Sequence, residues 1–491
     1  MTSPVFLSLD VGTTAVKAGV FGVDGTAHSV VSREYELETP KPNIVELDPE
    51  VYWLTSIEAV RAALNHSGVK SSDVVSVGVC SQGETLICLD SAGTAIRNAI
   101  VWMDNRSHQQ AEQIRAHLGV FPQTGQTDLD PCWPITKILW LKQYEPDVFS
   151  RTERFMLVED FIVYRLCGKF VGDFSLYSSS YMIDVERKEW LDDILDYVGV
   201  EKSRLVELLD SGCVVGEVTS DAAETLSIPK STKVVSGAMD LAASLVGTGN
   251  TRPGVVTEIT GAAQIVCNTL DRVPETRSKT MAVQCHAVPG AYLMIGWCPS
   301  GGMSLRWFRD TFSPGSDFEK LTDSARAIAP GSDGLHFFPY QSGPGTLDIA
   351  SHIRGCWYGL ELNHTAGHFV RSILEAIAYV DRQNLDDMRA SGFEYREIRA
   401  IGGGASSRLW NQIKANVIGR NVTTMCCSES AMLGVVILQA VALEYFGSID
   451  EAAAVMVKSR EVVTPQADAT DEYDRLFMER ISLQDRLMGS L

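Results

Sequence analysis

The chain has 491 residues, 62 acidic against 42 basic for a formal net charge of −20, with 45% hydrophobic and 21% charged residues. That length exceeds what one core supports and implies two to four domains, and the composition is that of an ordinary soluble globular protein. The acidic field repels nucleic-acid phosphates and anionic membrane surfaces, so no nucleic acid and no membrane is expected as a partner.

Eleven cysteines are scattered without metal-like spacing, and Cys426–Cys427 is the one adjacent pair. The odd count, and a start without a basic signal-peptide region, predict reduced thiols and a cytoplasmic setting. No run approaches 18 uninterrupted apolar residues, so no membrane span is expected.

The first 35 residues read as a β-meander: Val5–Leu9, Lys17–Val23 and, after the turn at Asp24 and Gly25, Ala27–Tyr35. Asp48 and Pro49 then signal a helix start, as cap and first helical residue. Trp53, Ile57, Val60 and Leu64 follow at helical spacing, and Gly68 ends the run. Strand Val74–Cys80 leads into Ser81, Gln82, Gly83 and Glu84, and strand Lys233–Met239 ends at Asp240. Hairpins resume at Gly254–Ile259, Gln264–Asn268, Ala282–His286 and Tyr292–Gly296. A long helix carries Phe369, Ile373, Ile377, Val380 and Asn384 on one stripe. Strand Ile398–Ile401, the run Gly402–Gly404 and a helix from about Ser407 come next. Hairpin strands followed by strand–helix units thus occur twice, and the expected domains are 1–246 and 247–491 with a ligand cleft between them.

Five groups of residues could carry chemistry. Asp10, Gly12, Thr13, Thr14 and Lys17 surround a tight turn with exposed amides, hydroxyls and a cation, the donor set a phosphate needs; an ordinary hairpin turn is the alternative. Glu258–Ala263 places Thr260 and Gly261 in the corresponding hairpin of the second half. Gly402–Gly404 allow close backbone approach at a helix N-terminus, where Ser406 or Ser407 could equally serve as a cap. Asp240 lies at the C-terminal end of a strand, where open sheets bind ligands. It could accept a proton from an attacking hydroxyl, or merely cap the helix at Leu241. Gln82, Glu84, Trp102 and Asp104 offer the carboxylates, amide and ring that polyhydroxy ligands require.

Together these motifs resemble the FGGY family of carbohydrate kinases along essentially the whole chain. The most specific segment is Gly355–Leu360 (GCWYGL), followed after seven residues by His368–Glu375 (HFVRSILE). A second signature is approached by Pro134–Leu141, with Cys132 departing from its first position. The resemblance implies an α/β fold of two ribonuclease-H-like domains of the actin/hexokinase/Hsp70 type. It also implies ATP-dependent phosphorylation of a small sugar or polyol, with ATP and Mg2+ required; a homodimer is compatible with it.

By the same resemblance, Asp10, Gly12, Thr13 and Thr14 face the phosphates and Mg2+, with Asp10 as the metal residue and Lys17 beside them. Thr260 and Gly261 form a second phosphate loop, Gly403, Gly404, Ser407 and Gln412 sit by the adenosine, and Asp240 is the catalytic base. Ile259 stands where many members carry glycine. Gly83, Cys132 and Leu241 replace polar groups of the glycerol site, and the Met-His pair usual in xylulose kinases is missing. Glycerol and D-xylulose are therefore disfavoured, and Gly83 is expected to leave room for another acceptor.

Overall fold

The computed structural model describes residues 4–276 and 278–488. They form two compact units. The first comprises residues up to Thr251 together with Val283–Tyr292 and Glu429–Val457; the second comprises Arg252–Ala282, Leu293–Ser428 and the chain from Lys458 onward. The sequence halves 1–246 and 247–491 are thus not the two units, because the chain re-enters the first unit twice.

The main sheet of the first unit orders its strands Val214–Glu217, Lys233–Met239, Val74–Ser81, Val5–Val11, Ala15–Gly22 and Ala27–Glu34. The last three form the antiparallel meander, while Val5–Val11, Val74–Ser81 and Lys233–Met239 run parallel. Near-continuous apolar runs explain the core, since strands covered on both faces bury successive residues: Phe6, Leu7, Leu9, Val77 and Val79 are fully buried. The helix Pro49–Ser67 begins as its sequence dictates, with the Asp48 carboxylate accepting from Glu50 N–H at 3.0 Å. Gly68, in the left-handed region at φ 68°, ends it.

Within the second unit the sheet order is Tyr292–Cys298, Gln264–Leu270, Val255–Thr260, Glu397–Ile401, Val422–Met425 and Ser459–Val463. Val255–Thr260, Glu397–Ile401 and Val422–Met425 are parallel, and Ser459–Val463 closes the edge antiparallel. Three central parallel strands with an antiparallel strand on either side repeat the core of the first sheet. The helix Ala366–Ala390 buries Val370, Ile373, Leu374 and Ile377 in a core shared with Trp410, Ile413 and Tyr473.

The helix Ser430–Ala442 explains one return to the first unit. It is buried over nearly its whole length, so no single sheet face would satisfy it. Ser8 Oγ donates to Met432 O at 3.1 Å, Ser76 Oγ to Gln439 Oε1 at 2.6 Å, and Gln439 Nε2 to Leu7 O at 3.1 Å. Against helix Asp240–Gly247 the approach is so close that a Cβ on Gly434 would lie 1.9 Å from Ala243 O. Among the described residues no helix is long and apolar enough to cross a membrane.

Candidate functional site

In the first unit the ends of three neighbouring strands place Asp10, Glu84 and Asp240 within electrostatic reach of one another. All three keep partial solvent exposure. Asp240 Oδ1 accepts from the N–H of Leu241 at 2.6 Å. Burial pushes its carboxyl up to about 7, the negative charges of Asp10 and Glu84 add to this, and the Leu241 N–H opposes it. Asp10 is raised to about 6, chiefly by burial, while Lys17 pulls it down and Glu429 pushes it up. The Lys17 ammonium pairs with Glu429 at 2.6 Å, so its charge is shared with that carboxylate.

Glu84 holds a left-handed backbone, φ 59°, unusual for a non-glycine residue and a conformation that costs energy unless its surroundings enforce it. Lys137 supplies that enforcement. Its buried ammonium donates to Glu84 O at 3.0 Å and to Val101 O at 3.2 Å, clamping the turn from below. Burial raises the Glu84 carboxyl and lowers the Lys137 ammonium from their ordinary values. Gln82 Nε2 donates to Tyr52 Oη at 3.1 Å, while Gln82 Oε1 is a buried acceptor without a partner among the described residues. Such an atom is costly unless a ligand hydroxyl completes it.

Trp102 links two of the expected groups, its indole N–H donating to Thr13 Oγ1 at 3.0 Å. Gly12 and Thr14 lie in the turn between strands, where Gly12 N–H donates to Ala15 O at 3.0 Å and Thr14 is exposed. Asp104 is different. It is fully buried and accepts from Val45 N–H at 2.7 Å and from three N–H groups of Arg106, so it anchors a loop and has nothing left to hold a ligand. The space expected beside Gly83 is also taken: a Cβ there would meet Ser179 Oγ at 3.0 Å and Met239 Cε at 3.4 Å.

The second unit contains a cavity of about 640 Å³. Thr260, Gly261, Gly403, Gly404 and Ser407 line it together. Sequence reasoning missed its other wall, helices Gly302–Phe312 and Phe318–Ser324, which contribute Met303, Arg306 and Phe318. The adjacent Gly301 and Gly302 were the available signal. A Cβ on Gly302 would lie 2.5 Å from Gly261 O, so the two turns can touch only without side chains. The glycine run divides in the same way. Cβ atoms on Gly402 and Gly404 would strike Thr260 at 2.6 and 2.4 Å, whereas Gly403 faces open space. Ser407 caps the following helix, accepting from Trp410 N–H at 3.3 Å. Gln412 is outside the cavity lining, its amide donating to Asn416 Oδ1 at 3.0 Å and Thr464 O at 2.9 Å.

Thr260 itself is buried, and its hydroxyl is committed to a polar network. The buried ion pair Lys414–Glu258 spans 2.8 Å, and Lys414 also donates to Thr260 Oγ1. Gln264 Nε2 bridges Glu258 and Asp381, reaching Asp381 Oδ1 at 2.7 Å. Burial, then the Glu258 charge, holds Asp381 well above the carboxylate range. Thr260 therefore shapes its loop from behind, and the exposed backbone at Gly261 and Ala262 faces the cavity.

Comparison with known proteins gives these features a context. The model of the FGGY family of carbohydrate kinases matches in its N-terminal domain over residues 5–247 and in its C-terminal domain over residues 260–443. A xylulose kinase of Lactococcus lactis is 28% identical, covering 96% of this chain and 94% of the relative. A gluconokinase of Bacillus subtilis is 28% identical over 98% of this chain and 96% of its own. The solved structure of a xylulose kinase from Rhodospirillum rubrum superposes with a TM-score of 0.91 at 26% identity, covering 98% of both chains.

Proposed function

The chain belongs to the FGGY family of carbohydrate kinases, which use ATP as phosphoryl donor, and from that premise we propose that Asp240 is the general base that prepares a sugar or polyol hydroxyl for attack on the γ-phosphoryl group. The supporting observation is the Asp240 carboxyl at a strand end, lifted to about 7 by burial and by Asp10 and Glu84. A base works best with a pKa near the operating pH. Gln82 Oε1 and Glu84 accept from acceptor hydroxyls, and Trp102 lies against the C–H face. The turn Gly12–Thr14 and the backbone at Gly261 hold phosphates, and adenosine occupies the cavity lined by Gly403, Gly404 and Ser407.

Asp10 is the residue that would hold Mg2+. Among the described residues no group of three His, Cys, Asp or Glu side chains could hold a metal ion. One carboxylate fits a cation that takes its remaining ligands from phosphates and water. The ion would neutralise phosphate charge.

The acceptor is proposed to be another pentulose, a tetritol or a sugar acid, not glycerol or D-xylulose, because Gly83, Cys132 and Leu241 offer no strong polar groups and Met239 and Ser179 fill the space beside Gly83. A cytoplasmic setting accords with eleven cysteines all present as free thiols. A coupled ADP-release screen over pentuloses, tetritols, sugar acids, glycerol and D-xylulose tests the assignment. Turnover of glycerol or D-xylulose above about 10⁴ M⁻¹s⁻¹ in kcat/KM would overturn the choice of acceptor. ATP hydrolysis unaffected by every polyol would overturn the kinase mechanism.

A further inference from the structure

The strand that delivers Asp240 is irregular just before it does so. Lys233–Met239 pairs with Val74–Ser81 as Val235 opposite Gly78 and then Ala238 opposite Cys80, so Ser236 and Gly237 together stand against Val79. This is a β-bulge, the device by which a strand re-aims a side chain near a site. Only glycine fits it, since a Cβ on Gly237 would lie 1.4 Å from Val79 O.

Side chains of the same unit hold the bulge on both sides of Ala238. Gly237 N–H donates to Glu159 Oε1 at 3.0 Å. Met239 N–H donates to Ser175 Oγ at 3.0 Å, and that hydroxyl in turn donates to Asp173 Oδ1. Ser211 Oγ fixes the same Asp173 oxygen at 2.8 Å. Glu159 and Asp173 are fully buried, lie within hydrogen-bond reach of each other, and each leaves one oxygen without a donor. Burying acids is unfavourable, and an unbroken strand ladder would need neither of them.

We propose that Glu159 and the Asp173–Ser175 pair are positioning residues, gripping the two amides that flank Ala238 so that Asp240, the next residue after Met239, is presented in one orientation. The inference rests on Asp240 being the base. It adds that the geometry of this base is set by carboxyl groups that never touch substrate.

The test compares full-length Ser175→Ala, Glu159→Ala, Glu159→Gln and Asp240→Asn with the parent enzyme, using Mg-ATP and the acceptor found in the ADP-release screen. Thermal melting reports folding. Ser175→Ala should lower kcat by about 10- to 100-fold, the cost of a misplaced catalytic group, with KM for ATP changed by less than about twofold. Glu159→Gln keeps an acceptor for Gly237 N–H and should hold kcat within about twofold of the parent, whereas Glu159→Ala should fall as Ser175→Ala does. A folded Ser175→Ala with parental kcat overturns the proposal, as does a Glu159→Gln no better than Glu159→Ala. Should Ser175→Ala fail to fold, the two Glu159 variants decide. If Asp240→Asn retains about a tenth or more of the activity, the base assignment has failed and this inference with it. An inactive Asp240→Asn beside a normal Ser175→Ala overturns the positioning alone.

Discussion

A carboxyl that accepts a proton near neutrality must be ionised there, yet burial has moved that of Asp240 up to about 7. Rate should therefore fall on the acid side of about pH 7, as the base becomes protonated. Glu84→Gln removes a like charge, so it should move that limb of the kcat/KM profile to lower pH, read in rates from pH 5.5 to 8.5. Asp240→Asn keeps the shape but not the proton acceptance and should cost roughly 10²–10⁴-fold in kcat, with ATP binding unchanged in calorimetry. The linkage sign is opposite for stability. A carboxyl raised on folding contributes stability below its unfolded value, and that contribution is lost as pH rises toward about 7. At pH 8, Asp240→Asn should melt higher than the parent by about 2–4 °C, a modest figure because the carboxyl keeps some solvent contact. Strand-end position was enough to single out Asp10, Gln82, Glu84 and Asp240 in the sequence. The Asp104–Arg106 pairing is local, but position along the chain could not reveal that Val45 also donates to Asp104 or that Gln412 ties down Thr464, because those bonds depend on where other segments lie.

At the level of elements, the glycine run between strand Glu397–Ile401 and helix Arg408–Ile418 does two jobs. Gly404 packs on Thr260, so Gly404→Ala should destabilise the second unit by about 1–3 kcal/mol through overpacking, seen in urea melts. Gly403 faces open space beside the cavity, so Gly403→Ala should leave the melt unchanged but raise KM for ATP by about tenfold, equivalent to about 1.4 kcal/mol. Equal melting of the two variants would refute this division. Lys414→Met leaves Glu258 buried without its cation and should cost about 3–5 kcal/mol, while adding Glu258→Gln should recover much of the loss. The meander and the strand–helix order were legible because turn residues and periodicity are local. The wall formed by Gly302–Phe312 and Phe318–Ser324 was not, since it joins the glycine loops only in three dimensions.

For the molecule as a whole, the division of the chain carries its own prediction. A fragment ending at Thr251 lacks helix Ser430–Ala442, and with it the partners of Ser8, Ser76 and Leu7. Such a fragment should expose apolar surface, bind a hydrophobic dye and sediment as aggregates. Co-expression with residues 429–457 should restore a sharp near-ultraviolet dichroism signal. A fragment that is monomeric and cooperatively folded alone would contradict the packing described here. Sequence periodicity could not reveal this return, because an apolar helix does not declare which sheet it will cover.

The same return has a consequence during synthesis. The N-terminal sheet emerges from the ribosome first, but the helix that seals it follows roughly two hundred residues later. At about 5–20 residues per second this is a wait of about 10–40 s. During that interval the nascent chain carries an unsealed apolar face, so its yield in the cell should depend on chaperones that bind such surfaces and on the pace of translation through the second half of the message.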